Sequence, residues 1–209
     1  MPIITLPLDQ VVQRGNSLRS MLKCVSRHKE GPAFKRQRTP TQDLVIGFFD
    51  IDPLDNDYTE WRFKTRCPNL LALYYERWQQ DRESAGDLWY LDRIYFHLYT
   101  VNHQDGPSEY IALHCEPNNP EMDTIYKLSP HLHFKASPDP LPKAHFALNV
   151  GHLGAVLRSP IELTSAITQA IELLRIEVLD RICPPPPPET EEMPTQRRKR
   201  RQHLTSSSR

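Results

Sequence analysis

Apolar positions along this chain change their spacing several times, and each change marks a different element. Val11, Val12, Leu18, Met21, Leu22 and Val25 recur at helical spacing, which predicts a first helix over about residues 9–27 with the basic side chains mostly off the stripe. Gly15 weakens the middle of that helix. Residues 30–40 read as a basic, proline-containing loop, 44–49 as a buried strand and 50–57 as its exit loop. Pro68 suits the first turn of a second helix. Leu70, Leu71, Tyr74 and Trp78 would form its buried face, and it would end before Gly86.

Residues 89–101 are aromatic and β-branched, and Tyr95, His97 and Tyr99 alternate there with Phe96, Leu98 and Thr100. That is a strand period. Asp105-Gly106-Pro107 signals a turn, and 109–115 the returning strand of a long hairpin. Two short strands are predicted at about 132–136 and 145–150, joined by the proline-rich turn 137–142. Ser159, Pro160 and Glu162 open a last helix at a capping box with proline in the first turn. Leu163, Ala166, Ile167, Ala170, Ile171, Leu174, Val178 and Ile182 carry its stripe. The fold class predicted is α+β: an antiparallel sheet of about five strands, helices packed on one face, and a disordered C-terminal tail. A single domain over 1–183 precedes a tail over 184–209, first proline-rich and then basic.

Composition changes this picture little. The chain has 209 residues and zero formal net charge, with 20 prolines against 7 glycines, so many of its loops have a fixed φ. Cys24, Cys67, Cys115 and Cys183 form no CxxC pair, which argues against a zinc knuckle and for free thiols. No signal-peptide pattern is seen at the start, and no run reaches the about 18 apolar residues of a membrane span. The expectation is a soluble, cytoplasmic protein with no membrane partner. Phosphate-cradling glycine loops and the Gly-x-Ser-x-Gly elbow are absent, and the acidic stretch 50–57 lacks calcium-loop spacing.

Charge is uneven along the chain. Eight Lys/Arg and one acid, Glu30, lie between Arg14 and Arg38, and residues 197–201 are all basic. Arg36, Arg38, Arg198, Lys199 and Arg200, together with Lys143, are therefore candidates for binding phosphate or nucleic acid.

Candidate chemistry comes from histidine, with seven of nine between His97 and His152. On a strand, His131 and His133 point to one face, and an antiparallel return would bring His145 against them. With the turn centred near Gln104, His97 and His114, on the two arms of the hairpin, would be close to diagonal neighbours. His131, His133, His145 and Lys135 are the candidate catalytic residues. In such an enzyme one neutral histidine would accept a proton, another would donate one, and a lysine would offset phosphate charge. No cofactor is predicted outright, but the same three histidines could hold a divalent transition metal, with Asp139, Glu116 or Glu121 as candidate carboxylates.

His131-Leu132-His133-Phe134-Lys135 resembles the strand of the histidine-triad nucleotide hydrolases, which would make His133 the nucleophile; Lys135 stands where the third histidine belongs, so the triad is broken. His-x-His followed by His145 is similar to a cupin pattern but lacks its glutamate. Neither resemblance assigns the chain. The order of aromatic hairpin, histidine strand and long helix looks like that of histidine-rich components of bacterial toxin–antitoxin pairs. The favoured expectation is thus an interaction or defence-type component, with another protein or RNA as partner. The alternative is a histidine-dependent phosphodiesterase of RNase type, or a metal-dependent enzyme.

Overall fold

The structure is a computed structural model, and it describes residues 4–51, 57–81, 87–102, 106–118, 128–134, 144–148 and 153–184. Its centre is a pair of long antiparallel strands, Leu70–Gln80 and Leu88–Asn102. The first of these is the segment expected as a second helix. Leu70, Ala72, Tyr74 and Trp78 are buried on one face, and Leu73 and Tyr75 on the other. A strand covered on both sides reads as a continuous apolar run, and spacing alone does not separate it from a helix. The β-favouring Leu-Tyr-Tyr and Trp residues and the eleven-residue ladder to the next strand decide the matter.

In chain order the elements are β1 (Thr5–Pro7), α1 (Leu8–Leu22), β2 (Ala33–Arg38), β3 (Leu44–Phe49), β4 (Arg62–Lys64), β5 (Leu70–Gln80), β6 (Leu88–Asn102), β7 (Gly106–Cys115), β8 (His131–Phe134), β9 (Ala144–Ala147) and α2 (Pro160–Leu174). Alongside these are a 3-10 turn at Tyr58–Glu60, a helical turn at Leu153–Val156, a π turn at Arg175–Leu179 and a last helical turn at Asp180–Ile182. The sheet runs β2-β3-β5-β6-β7-β8-β9, with β1 added to β6 and β4 to β5. All its pairings are antiparallel.

Among the described residues nine strands replace the five expected. Besides β5, the additions are the short β1 and β4 and the edge strand β2, which occupies the supposed basic loop. Charged side chains on an edge strand discourage pairing with another chain, and they also hide its strand character from a hydrophobicity pattern. Only Pro184 of the tail lies within the described residues, so nothing of its basic run, Arg198, Lys199 and Arg200 included, is placed.

Both long helices lie against one face of the sheet. Val11, Leu18 and Leu22 of α1 and Leu163, Ile167, Ile171 and Leu174 of α2 join Ile46, Phe48, Tyr74, Trp78, Phe96 and Leu113 in one core. Gly15 has a packing role. A Cβ there would lie 2.4 Å from the Phe34 ring, so the glycine that weakens the helix lets α1 approach β2. At the start of α2, the Ser159 hydroxyl accepts from the Ile161 amide and Pro160 follows in the first turn.

The core contains a buried ion pair that hydrophobic patterning does not reveal. Arg14 of α1 donates through Nε and Nη2 to the Glu76 carboxylate of β5 at 2.8–2.9 Å, and Glu76 is fully buried. Tyr74 Oη and Trp78 Nε1 donate to the same carboxylate at 2.8 and 3.1 Å. Arg14 Nη1 bonds Thr164 Oγ1 of α2, so one charged network joins both helices to the central strand.

The opposite face has a smaller core of Val45, Trp61, Leu73 and Tyr75, flanked by Phe49, Tyr58, Tyr95 and Tyr99. Trp61 lies directly on Gly47. A Cβ at that position would stand 2.7 Å from the indole and 3.0 Å from the Tyr74 carbonyl oxygen. Gly47→Ala is therefore expected to cost about 1–3 kcal/mol through overpacking, read as a lower urea midpoint at unchanged slope.

Candidate metal centre

Strand register brings the histidines together. Tyr75, Tyr95, His114 and His131 are successive cross-strand partners on β5, β6, β7 and β8. Leu73, His97, Ala112, His133 and His145 form the adjacent row, ending on β9. Because side chains alternate, these two rows share one face, while Phe96, Leu113 and Leu132 between them enter the helix-side core. His97, His114, His131 and His133 thus lie on the face away from both helices.

Within the array the rings are in contact. His114 lies 4.0 Å from His133, 4.9 Å from His97 and 6.1 Å from His131, centroid to centroid, and His131 lies 4.8 Å from His133. One ring nitrogen each of His114, His131 and His133 falls within a set spanning no more than 4.8 Å. His131 is buried, and His114 and His133 are half-buried. Ala112 stands between His97 and His133 in their row, and this small side chain leaves room for His114 to meet both.

The surrounding groups fix orientation. His131 Nδ1 lies 2.8 Å from the Ser129 carbonyl oxygen, an acceptor only, so Nδ1 carries the proton and Nε2 is the basic nitrogen of the neutral ring. His97 Nδ1 lies 3.0 Å from the Glu109 carboxylate and 3.1 Å from Tyr99 Oη, and its Nε2 is 2.8 Å from Nε2 of His114. Tyr95 stacks on His114 with centroids 3.9 Å apart and planes 11° apart, and its hydroxyl donates to the buried Glu116 carboxylate. Burial and then that hydrogen bond push the Tyr95 phenol up, so it remains a neutral donor.

Of the residues singled out from sequence, His131 and His133 are brought together. His145 is directly across from His133 in the ladder, but its side chain, like Lys135, Lys143 and Asp139, lies outside what is described. The third member seen is His114, from the hairpin. His97 and His114 are diagonal neighbours there, set on one face by a register shift between Leu98 and Tyr99 rather than by the turn alone. Glu116 approaches the array through Tyr95, whereas Glu109 had no signal in the sequence beyond its place in the β7 ladder.

Arg36 and Arg38 are not part of this site. Both are exposed on edge strand β2, separated from β7 by β3, β5 and β6, or about 20 Å at ordinary strand spacing. Arg38 instead covers the Trp89 ring at 4.3 Å and donates to the Gln42 carbonyl. Comparison of the chain with protein-family models, curated proteins and solved structures finds no match. No helix among the described residues is long and apolar enough to cross a membrane.

Proposed function

We propose that this protein binds a divalent first-row transition metal through His114, His131 and His133. The observation that carries the reading is the convergence of three imidazole nitrogens within 4.8 Å on two paired strands. Nitrogens bound to one zinc at about 2.0–2.1 Å are about 3.4 Å apart in a tetrahedron, so small side-chain rotations of about 1 Å complete the site. Imidazole donors suit zinc, nickel, copper or iron rather than calcium or magnesium. The partners of the histidines fit as well. Metal-bound histidine usually donates its other N–H to a carbonyl or carboxylate, as His131 does to Ser129.

Three protein ligands leave a position for water or substrate, so the metal-dependent alternative of the sequence reading is the one favoured here. His97, held by Glu109 and in contact with His114, acts as a positioning residue. Cobalt(II) titration of the metal-free protein tests both roles. Saturation is expected at one equivalent, with the visible bands of a low-coordinate nitrogen site. His97→Ala should retain that stoichiometry and weaken affinity about 10–100-fold, as loss of a supporting group does. Cobalt binding that ignores His131→Ala would overturn the assignment.

A second reading draws on the 2.8 Å contact between His97 and His114 beside Glu109. A hydrogen-bonded pair of this kind could serve metal-free acid–base cleavage of a phosphodiester. Cleavage of RNA that persists in excess chelator and is lost in His114→Ala would favour it. The interaction or defence-type reading rests on the order of elements alone.

A further inference from the structure

Far from the histidines, the connection between β4 and β5 meets the end of the C-terminal helix. Arg66 forms an ion pair with Asp180. Next to it, Cys67 Sγ donates to the Leu179 carbonyl oxygen at 3.4 Å, and the Cys183 amide donates to that same oxygen at 2.8 Å. Cys67 is fully buried and Cys183 is partly exposed against the same core, so the two residues meet at the Leu179 carbonyl. The other two thiols are engaged elsewhere, Cys24 with the Met21 carbonyl and Cys115 with that of Leu128. All four are reduced.

From this apposition we infer that Cys67 and Cys183 are a redox pair, able to form a disulfide that fastens the end of the C-terminal helix to the β4–β5 connection. The oxidant is a small disulfide such as oxidised glutathione. The Cys183 thiolate, the more accessible, attacks one glutathione sulfur and releases the first glutathione as a thiol, leaving a mixed disulfide. Cys67 then gives up its proton and attacks the Cys183 sulfur, and the second glutathione leaves. Two protein thiols lose two electrons and two protons, and one oxidised glutathione becomes two reduced ones. Burial, with Cys183 behind it, pushes the Cys67 thiol up, which makes the second step the slow one. The bond would close a loop of more than a hundred residues, the range in which a cross-link constrains the unfolded chain most.

The test uses the full chain, folded and metal-free, with oxidised glutathione and a non-reducing peptide map. The expected result is a single Cys67–Cys183 cross-linked peptide, loss of two of the four free thiols, and a thermal midpoint raised by about 5–10 °C. Cys183→Ser should abolish all three changes yet match the reduced wild type in midpoint. A stable glutathione adduct at Cys183 with Cys67 still reduced would overturn the inference, as would cross-links made only after denaturation. The result is independent of metal binding, since the pair shares no residue with the histidine site.

Discussion

Arg14→Met is expected to destabilise the protein by about 3–5 kcal/mol, the largest effect foreseen for a single side chain. The cause is what remains. Glu76 has no exposed surface, and without the guanidinium its carboxylate would keep only the Tyr74 hydroxyl and the Trp78 indole as partners from this network. Burial disfavours the Arg14 charge, but the Glu76 carboxylate outweighs it and holds Arg14 above its ordinary value. The Arg14 charge is therefore held in place, and the pair is costly to break from one side. Replacing both partners, as Arg14→Met/Glu76→Leu, should recover part of the loss, because no lone charge is then buried. Recovery stays partial, since Tyr74 and Trp78 lose an acceptor at about 1–3 kcal/mol each. Urea unfolding of the two variants measures both values, and a single-variant loss below about 1 kcal/mol would mean that water reaches the carboxylate.

The second large effect concerns metal-linked stability. A ligand that binds only the folded state stabilises it by RT ln(1 + [L]/Kd), about 4 kcal/mol at a thousandfold excess over Kd. Zinc at that excess should raise the thermal midpoint of the wild type clearly. In His133→Ala the rise should vanish, while the metal-free midpoint changes little because His133 is half-buried and lies outside both apolar cores. Strand β8 carries two of the three ligands and is only four residues long, so the metal would pin a short strand to the hairpin. An equal rise in wild type and variant would place the zinc elsewhere.

The elements legible from sequence are those with one buried face. The stripe of α2 and the alternation in β6 each set a fully apolar face against a more polar one. Strand β6 matches its predicted range to a residue at each end, whereas the helix predicted through Ile182 gives way at Arg175 to a π turn and a last helical turn. Strand β5 is buried on both faces, so its pattern carries no period, and Leu70, Leu71, Tyr74 and Trp78 fit a helix equally well. Strand β2 failed for the opposite reason, since Phe34 is its one large apolar residue.

The candidate site shows the same division. His131 and His133 are a local pattern, visible as two positions on one strand face. Bringing in His114 required the register between β7 and β8, which spans a connection that no local rule reads. His97 meets His114 only because the β6–β7 ladder shifts register between Leu98 and Tyr99, an irregularity that the position of the turn does not predict. The Arg14–Glu76 pair joins residues 62 apart and had no sequence signal at all.

The most direct test of the metal centre is equilibrium dialysis of chelator-stripped, tag-free protein against zinc, with metal and protein measured together. The account predicts one zinc per chain in the wild type and none retained by His131→Ala/His133→Ala with the fold intact by circular dichroism. No bound zinc in the wild type, or one equivalent in both proteins, would contradict it.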